Sequence, residues 1–171
     1  MVGKDPDTPN GLQIGENIGV LIGGEERYYT IVNKDNIIIP IERPDLSAGS
    51  TDTFFEATEL QPPFDQIYQV YNILVDGNVK VRVKQPAATN RFGTNRSPAA
   101  GELTDKISGM LSGQLINLWI AEDYPPSFQI ENFTDETVSK PTIFIIGWRY
   151  QIKPISKPDI YTKIVIGGLG R

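Results

Sequence analysis

From Val79 to Lys84 the chain alternates strictly, with Val79, Val81 and Val83 on one side and Lys80, Arg82 and Lys84 on the other. A repeat of two residues belongs to a β-strand with one buried and one wetted face. Apolar runs of similar length recur along the sequence, and proline or glycine interrupts most of them. Glycine (16) and proline (13) make up about a sixth of the 171 residues, against a usual ~12%. Proline has no N–H to give a ladder and glycine tolerates positive φ, so these breaks end strands and make turns. Many short strands, not a helical bundle, are the expected outcome.

Ile18–Ile22, Arg27–Asn33 and Asn36–Ile41 read as strands, with Gly23-Gly24 and Lys34-Asp35 as the turns between them. Residues 42–53 form a polar loop, and Phe54–Leu60 is extended until Pro62-Pro63 stops it. Gln66–Val75 and Val79–Lys84 flank Asp76-Gly77-Asn78. Gln114–Ala121, Ser127–Phe133, Thr142–Ile152 and Ile160–Ile166 are further strands, and the apolar run TIFIIGWRYQI predicts a central one covered on both faces, with Trp119 and Trp148 in the core. Leu103, Ile107, Met110 and Leu111 fall on one helical stripe with Gly113 at the C-terminal cap, which predicts a helix over about 102–112. The expected fold is mainly β: an antiparallel β-sandwich (jelly-roll-like) or a small barrel, with that one short helix and extended terminal arms. Residues 1–17 make the N-terminal arm, 18–156 a single β-rich domain and 157–171 a C-terminal strand or arm.

Histidine and cysteine are both absent, which removes imidazole proton transfer, thiolate attack and standard zinc ligation. The net charge of −5 is unevenly spread. Glu42, Asp45, Asp52, Glu56, Glu59 and Asp65 face Arg43 alone between residues 42 and 65, whereas Lys80, Arg82, Lys84, Arg91 and Arg96 occur in a stretch without acids. Complementary patches of this kind orient one surface on another more than they add affinity. Lys80, Arg82, Lys84, Arg91, Phe92 and Arg96 are therefore the candidate subunit-contact or anion patch. Two arginines around an aromatic also suit phosphate or a stacked base, but the acidic balance argues against a nucleic-acid footprint.

Other motifs carry less. The acidic pairs Glu25-Glu26 and Glu122-Asp123 offer oxygen ligands without the spacing of a calcium loop, and 21 acids always permit some glycosidase-like carboxylate pair. Trp119, Trp148, Tyr68, Tyr71, Tyr124 and Tyr150 could line a sugar platform. Gly167-Gly168-Leu169-Gly170 lacks the lysine of a phosphate loop, and Asn95-Arg96-Ser97 and Asn132-Phe133-Thr134 match the glycosylation pattern. No apolar run approaches the ~20 residues of a membrane helix, and MVGKDPDTPNG has no signal-peptide core. The expectation is a non-enzymatic structural subunit, in a virion or cytoplasmic, with no catalytic, cofactor or metal site. Its partners would be copies of itself or other particle subunits, without a membrane. The most specific form is a viral or phage component (minor capsid, cement or tail-connector protein). The alternative from another class is a carbohydrate-binding β-sandwich module.

Overall fold

The computed structural model describes residues 11–22, 25–52, 55–76, 79–84, 102–107, 118–122 and 126–166. Ten strands occur among them: β1 (Asn17–Ile22), β2 (Glu25–Glu42), β3 (Phe55–Glu56), β4 (Gln66–Asp76), β5 (Lys80–Lys84), β6 (Glu102–Ile107), β7 (Leu118–Ile120), β8 (Ser127–Glu131), β9 (Thr142–Pro154) and β10 (Thr162–Ile166). A 3-10 turn over Thr58–Leu60 is the one helical element among the described residues. The strands form two sheets, a six-stranded one ordered β10-β1-β2-β9-β4-β7 and a four-stranded one ordered β3-β8-β5-β6. Every pairing is antiparallel except β1 with β10. The architecture is a β-sandwich-like fold, and the described strands do not close into a barrel.

Two expectations are corrected. Glu102–Ile107 is a strand, paired with β5, not the start of a helix; residues 108–112 lie outside the described residues. Lys34-Asp35 is no turn, because β2 runs unbroken for 18 residues, roughly 60 Å of extended chain. Its one irregularity is a bulge between Ile31 and Asn33 opposite β9. A bulge inserts a residue and bends the strand without ending it. β2 pairs with β1 up to Thr30 and with β9 from Tyr29 onward.

The core is double. One cluster lies between the sheets and includes Ile37, Ile41, Val70, Ile73, Val81, Val83, Phe128, Ile130, Ile143 and Ile145. A second cluster holds Leu12, Ile18, Val20, Ile31, Ile67, Tyr150, Ile152 and Ile164. β9 is central, as its apolar run predicts, but it is not covered on both faces along its length, since Phe144 and Ile146 are only half-buried. Ile143 and Ile145 belong to the first core, whereas Tyr150 and Ile152 belong to the second. Odd and even residues of a strand point to opposite faces. The large sheet is therefore buried on one face at one end and on the other face at the other end. The outer strands β10 and β7 approach each other around the second core, and the segment before β1 plugs it. There the Leu12 N–H donates to the Tyr150 hydroxyl at 2.8 Å.

Candidate functional site

The alternation in β5 has the expected result. Val79, Val81 and Val83 are fully buried, while Lys80 and Arg82 are half-buried on the opposite face. β5 lies between β8 and β6, and both neighbours bring acids into register with its bases. Lys80 Nζ stands 3.8 Å from Glu131 Oε1. Arg82 is opposite Asp105 of β6, and Lys84 is opposite Glu102. Acids of the same chain are therefore in register with the bases of this strand. Arg91, Phe92 and Arg96 lie outside the described residues, so the patch is seen in part only. In the acidic segment, Arg43 bonds Asp52 at 2.8 Å and covers the Phe55 ring at 3.7 Å.

Among the described residues the candidate aromatic side chains do not form an open platform. Tyr150 is fully buried, and Tyr68 and Tyr71 nearly so. Burial pushes the Tyr150 phenol up to about 12. Trp119 and Trp148, expected in the core, are half-buried at the edge of the second cluster. Trp119 stacks on Tyr150 with centroids 6.2 Å apart, and Trp148 lies 6.3 Å from Tyr71 beneath the Lys34 ammonium. Tyr124 lies outside the described residues.

A cleft of about 740 Å³ opens beside the second core, lined in part by Tyr29, Phe64, Asp65, Glu25, Arg27 and Glu122. Phe64 is 75% exposed there and was not singled out by any sequence pattern. Glu25 and Glu122, one member of each acidic pair, reach this cleft from distant parts of the chain. Glu25 is held by Arg27 at 2.8 Å, and Asp65 accepts from Gln151 Nε2 at 2.6 Å. Glu26 turns aside to accept from the Tyr28 hydroxyl at 2.7 Å, and that bond, with burial, raises the Tyr28 pKa. No three acidic side chains gather as metal ligands among the described residues. Asn132 of the glycosylation pattern is fully buried, and its amide donates to the carbonyls of Leu46, Ser47 and Glu136, so it offers no acceptor nitrogen to the outside.

The most distinctive surface is one that sequence patterns did not reveal. Beyond Thr30, β2 has β9 on one side and no strand on the other among the described residues. Which backbone groups face that open side follows from the bonds at its start. Ile31 donates its N–H to the Glu16 carbonyl and its carbonyl accepts from the Gly15 N–H, away from β9, while Ile152 opposite donates its N–H to the Asp65 carbonyl. Pairs then alternate, so past the bulge the even residues 34, 36, 38, 40 and 42 turn N and C=O outward. Two details agree: Lys34 N–H is taken by Asn33 Oδ1 at 2.9 Å, and Arg43 N–H turns inward to Pro141. Pro40, with no N–H, falls at an outward position, where an edge strand tolerates it.

Beside this edge no element among the described residues covers the large sheet on the face opposite the small sheet. Ile38 pairs with Ile146, which pairs with Asn72, and Pro40 pairs with Phe144, which pairs with Leu74. Ile38 is 66% exposed; Phe144, Ile146 and Leu74 are half-buried and belong to neither core. No helix among the described residues is long and apolar enough to cross a membrane. No protein-family model matches the chain, and no curated protein matches it in sequence.

Proposed function

We propose that this chain is a non-enzymatic structural subunit whose work is to assemble, with copies of itself or with other subunits, into a larger particle. The observation that carries the reading is the open edge of β2 continued by the apolar rows of Ile38, Pro40, Phe144 and Ile146. An unpaired edge with exposed apolar side chains is a template for another chain, and natural proteins otherwise shield it. A virion component of a virus or phage (minor capsid, cement or tail-connector protein) is the specific form this reading takes. The mainly β body and the absence of histidine and cysteine support it. Its place is then in the virion, or in the cytoplasm before assembly. Sedimentation velocity at two concentrations tests the assembly: mass should rise with concentration, and a fixed monomer mass would overturn the reading. Detection of the chain in purified particles by mass spectrometry tests the virion form.

A second reading has its own observation. The cleft at Tyr29 and Phe64 places aromatic rings beside the carboxylates of Glu25, Asp65 and Glu122, a combination that suits a sugar's apolar faces and hydroxyls. A carbohydrate-binding module would then bind on a glycan array as a monomer and lose that binding in Phe64→Ala.

A further inference from the structure

We infer that the partner of the open β2 edge is a second copy of this chain, paired antiparallel through β2 about a two-fold axis at Ile38. The inference rests on the assembly reading above and names the surface and register that reading leaves open. A two-fold axis perpendicular to a sheet keeps each face continuous, so it sets residue i opposite residue j with an even sum. With Ile38 opposite Ile38 of the second copy, Asn36 stands opposite Pro40 and Lys34 opposite Glu42, each twice by symmetry.

This register uses the edge as it is built. Ile38 exchanges N–H and C=O with its counterpart. Asn36 N–H meets the Pro40 carbonyl, and Pro40, which has no N–H, faces only the Asn36 carbonyl. Glu42 N–H meets the Lys34 carbonyl, while Lys34 N–H stays with Asn33 Oδ1. Six main-chain bonds form, and no outward donor from 36 to 42 is left over. The side chains agree as well. On the uncovered face the row Asn72–Ile146–Ile38 continues directly into Ile38–Ile146–Asn72 of the second copy. Glu42 and Lys34 bring opposite charge across each end, where directly opposed like charges would repel. On the other face Asp35 keeps its bond to Arg149. Shifting the axis by one residue, to Ile39, also permits six main-chain bonds, but it sets Glu42 against Asn36 and loses both charge pairs. Charge and apolar matching together select Ile38.

The chain has no cysteine, so one introduced thiol reports the register directly. In Ile38→Cys the two Cα atoms would lie about 5.5 Å apart, within disulfide range. Oxidation should convert most of the protein to a covalent dimer on a non-reducing gel, whereas Ile39→Cys should give several-fold less. Glu42→Lys should weaken dimerisation at least several-fold at low salt, and Lys34→Glu in the same chain should restore it. Ile38→Lys, at an exposed position, should leave a folded monomer by circular dichroism. If the protein associates but Ile38→Cys does not cross-link, or Ile39→Cys cross-links equally, the Ile38 register is wrong while the assembly reading stands. A monomer at every concentration overturns both. A monomer that dimerises only after removal of residues 1–10 would assign the edge to that segment and overturn the inference.

Discussion

At the scale of single residues, one side chain and the absence of another hold the packing in place. Tyr150 is buried among apolar neighbours, accepts from Leu12 N–H at 2.8 Å and donates to Gln69 Oε1 at 2.6 Å. Tyr150→Phe leaves a buried donor and acceptor without their partner and should cost about 1–3 kcal/mol in urea unfolding. The same phenol gives a pH dependence. Its pKa is held at about 12 in the folded chain by burial, against ~10 when unfolded, so the neutral form is favoured by folding. Its stabilisation is complete below pH ~10 and is lost as pH rises through about 12. The unfolding midpoint should fall over that interval, and fall less steeply in Tyr150→Phe. Gly147 is needed for a different reason. A Cβ there would overlap the backbone carbonyl of Gln69, next to the bulge at Val70 and Asn72 of β4. Gly147→Ala must push two paired strands apart and should lower stability by more than about 2 kcal/mol, read from the same unfolding curves. Sequence patterns marked Trp148, not Tyr150, as the aromatic at the centre. Both sit in one apolar run, and the run does not say which half of it is covered on which face.

At the scale of elements, β5 and β2 mark the two limits of what a pattern reveals. The two-residue period of β5 was legible because one face is buried and the other wet along its whole length. Its bases nonetheless have acids in register from β6 and β8, which no local pattern could disclose. Ion pairs this exposed contribute ~0–1 kcal/mol, so Lys80→Gln should change stability by less than ~1 kcal/mol. Phe128, fully buried on the adjacent strand, should cost ~3–5 kcal/mol when cut to alanine, and half-buried Trp148 distinctly less. A thermal melt of the three variants checks the order. The run Asn33-Lys34-Asp35-Asn36 resembles a turn because it is polar, but its side chains are used within the sheet, Asp35 on Arg149 and Asn36 on the Tyr71 hydroxyl. β6 was misread for a reason of arithmetic. Leu103 and Ile107 are four residues apart, a spacing shared by the helical stripe and the two-residue period. Only Met110, Leu111 and the Gly113 cap spoke for a helix, and they lie outside the described residues.

At the scale of the molecule, the large sheet is buried on opposite faces at its two ends, and β9 passes through both cores. Amides of β9 bonded to β2 and β4 should therefore exchange most slowly with solvent. The N–H groups of Asn36 and Ile38 should exchange quickly at low concentration and slow down on assembly, and an edge that exchanges fast at all concentrations would count against pairing there. The sequence alone determined the class of the fold, since strand periodicity and the proline and glycine breaks are local properties of the backbone. It also identified the strand cores around Val81 and Ile145, whose side chains are apolar wherever they end up. Only the tertiary structure decided which strands share a sheet, where β2 lacks a neighbour among the described strands, and that Glu25 and Glu122 open on one cleft. Those facts depend on pairings between residues far apart in the chain. No residue carries a sign of its distant neighbour, so an exposed isoleucine such as Ile38 reads in the sequence like any buried one.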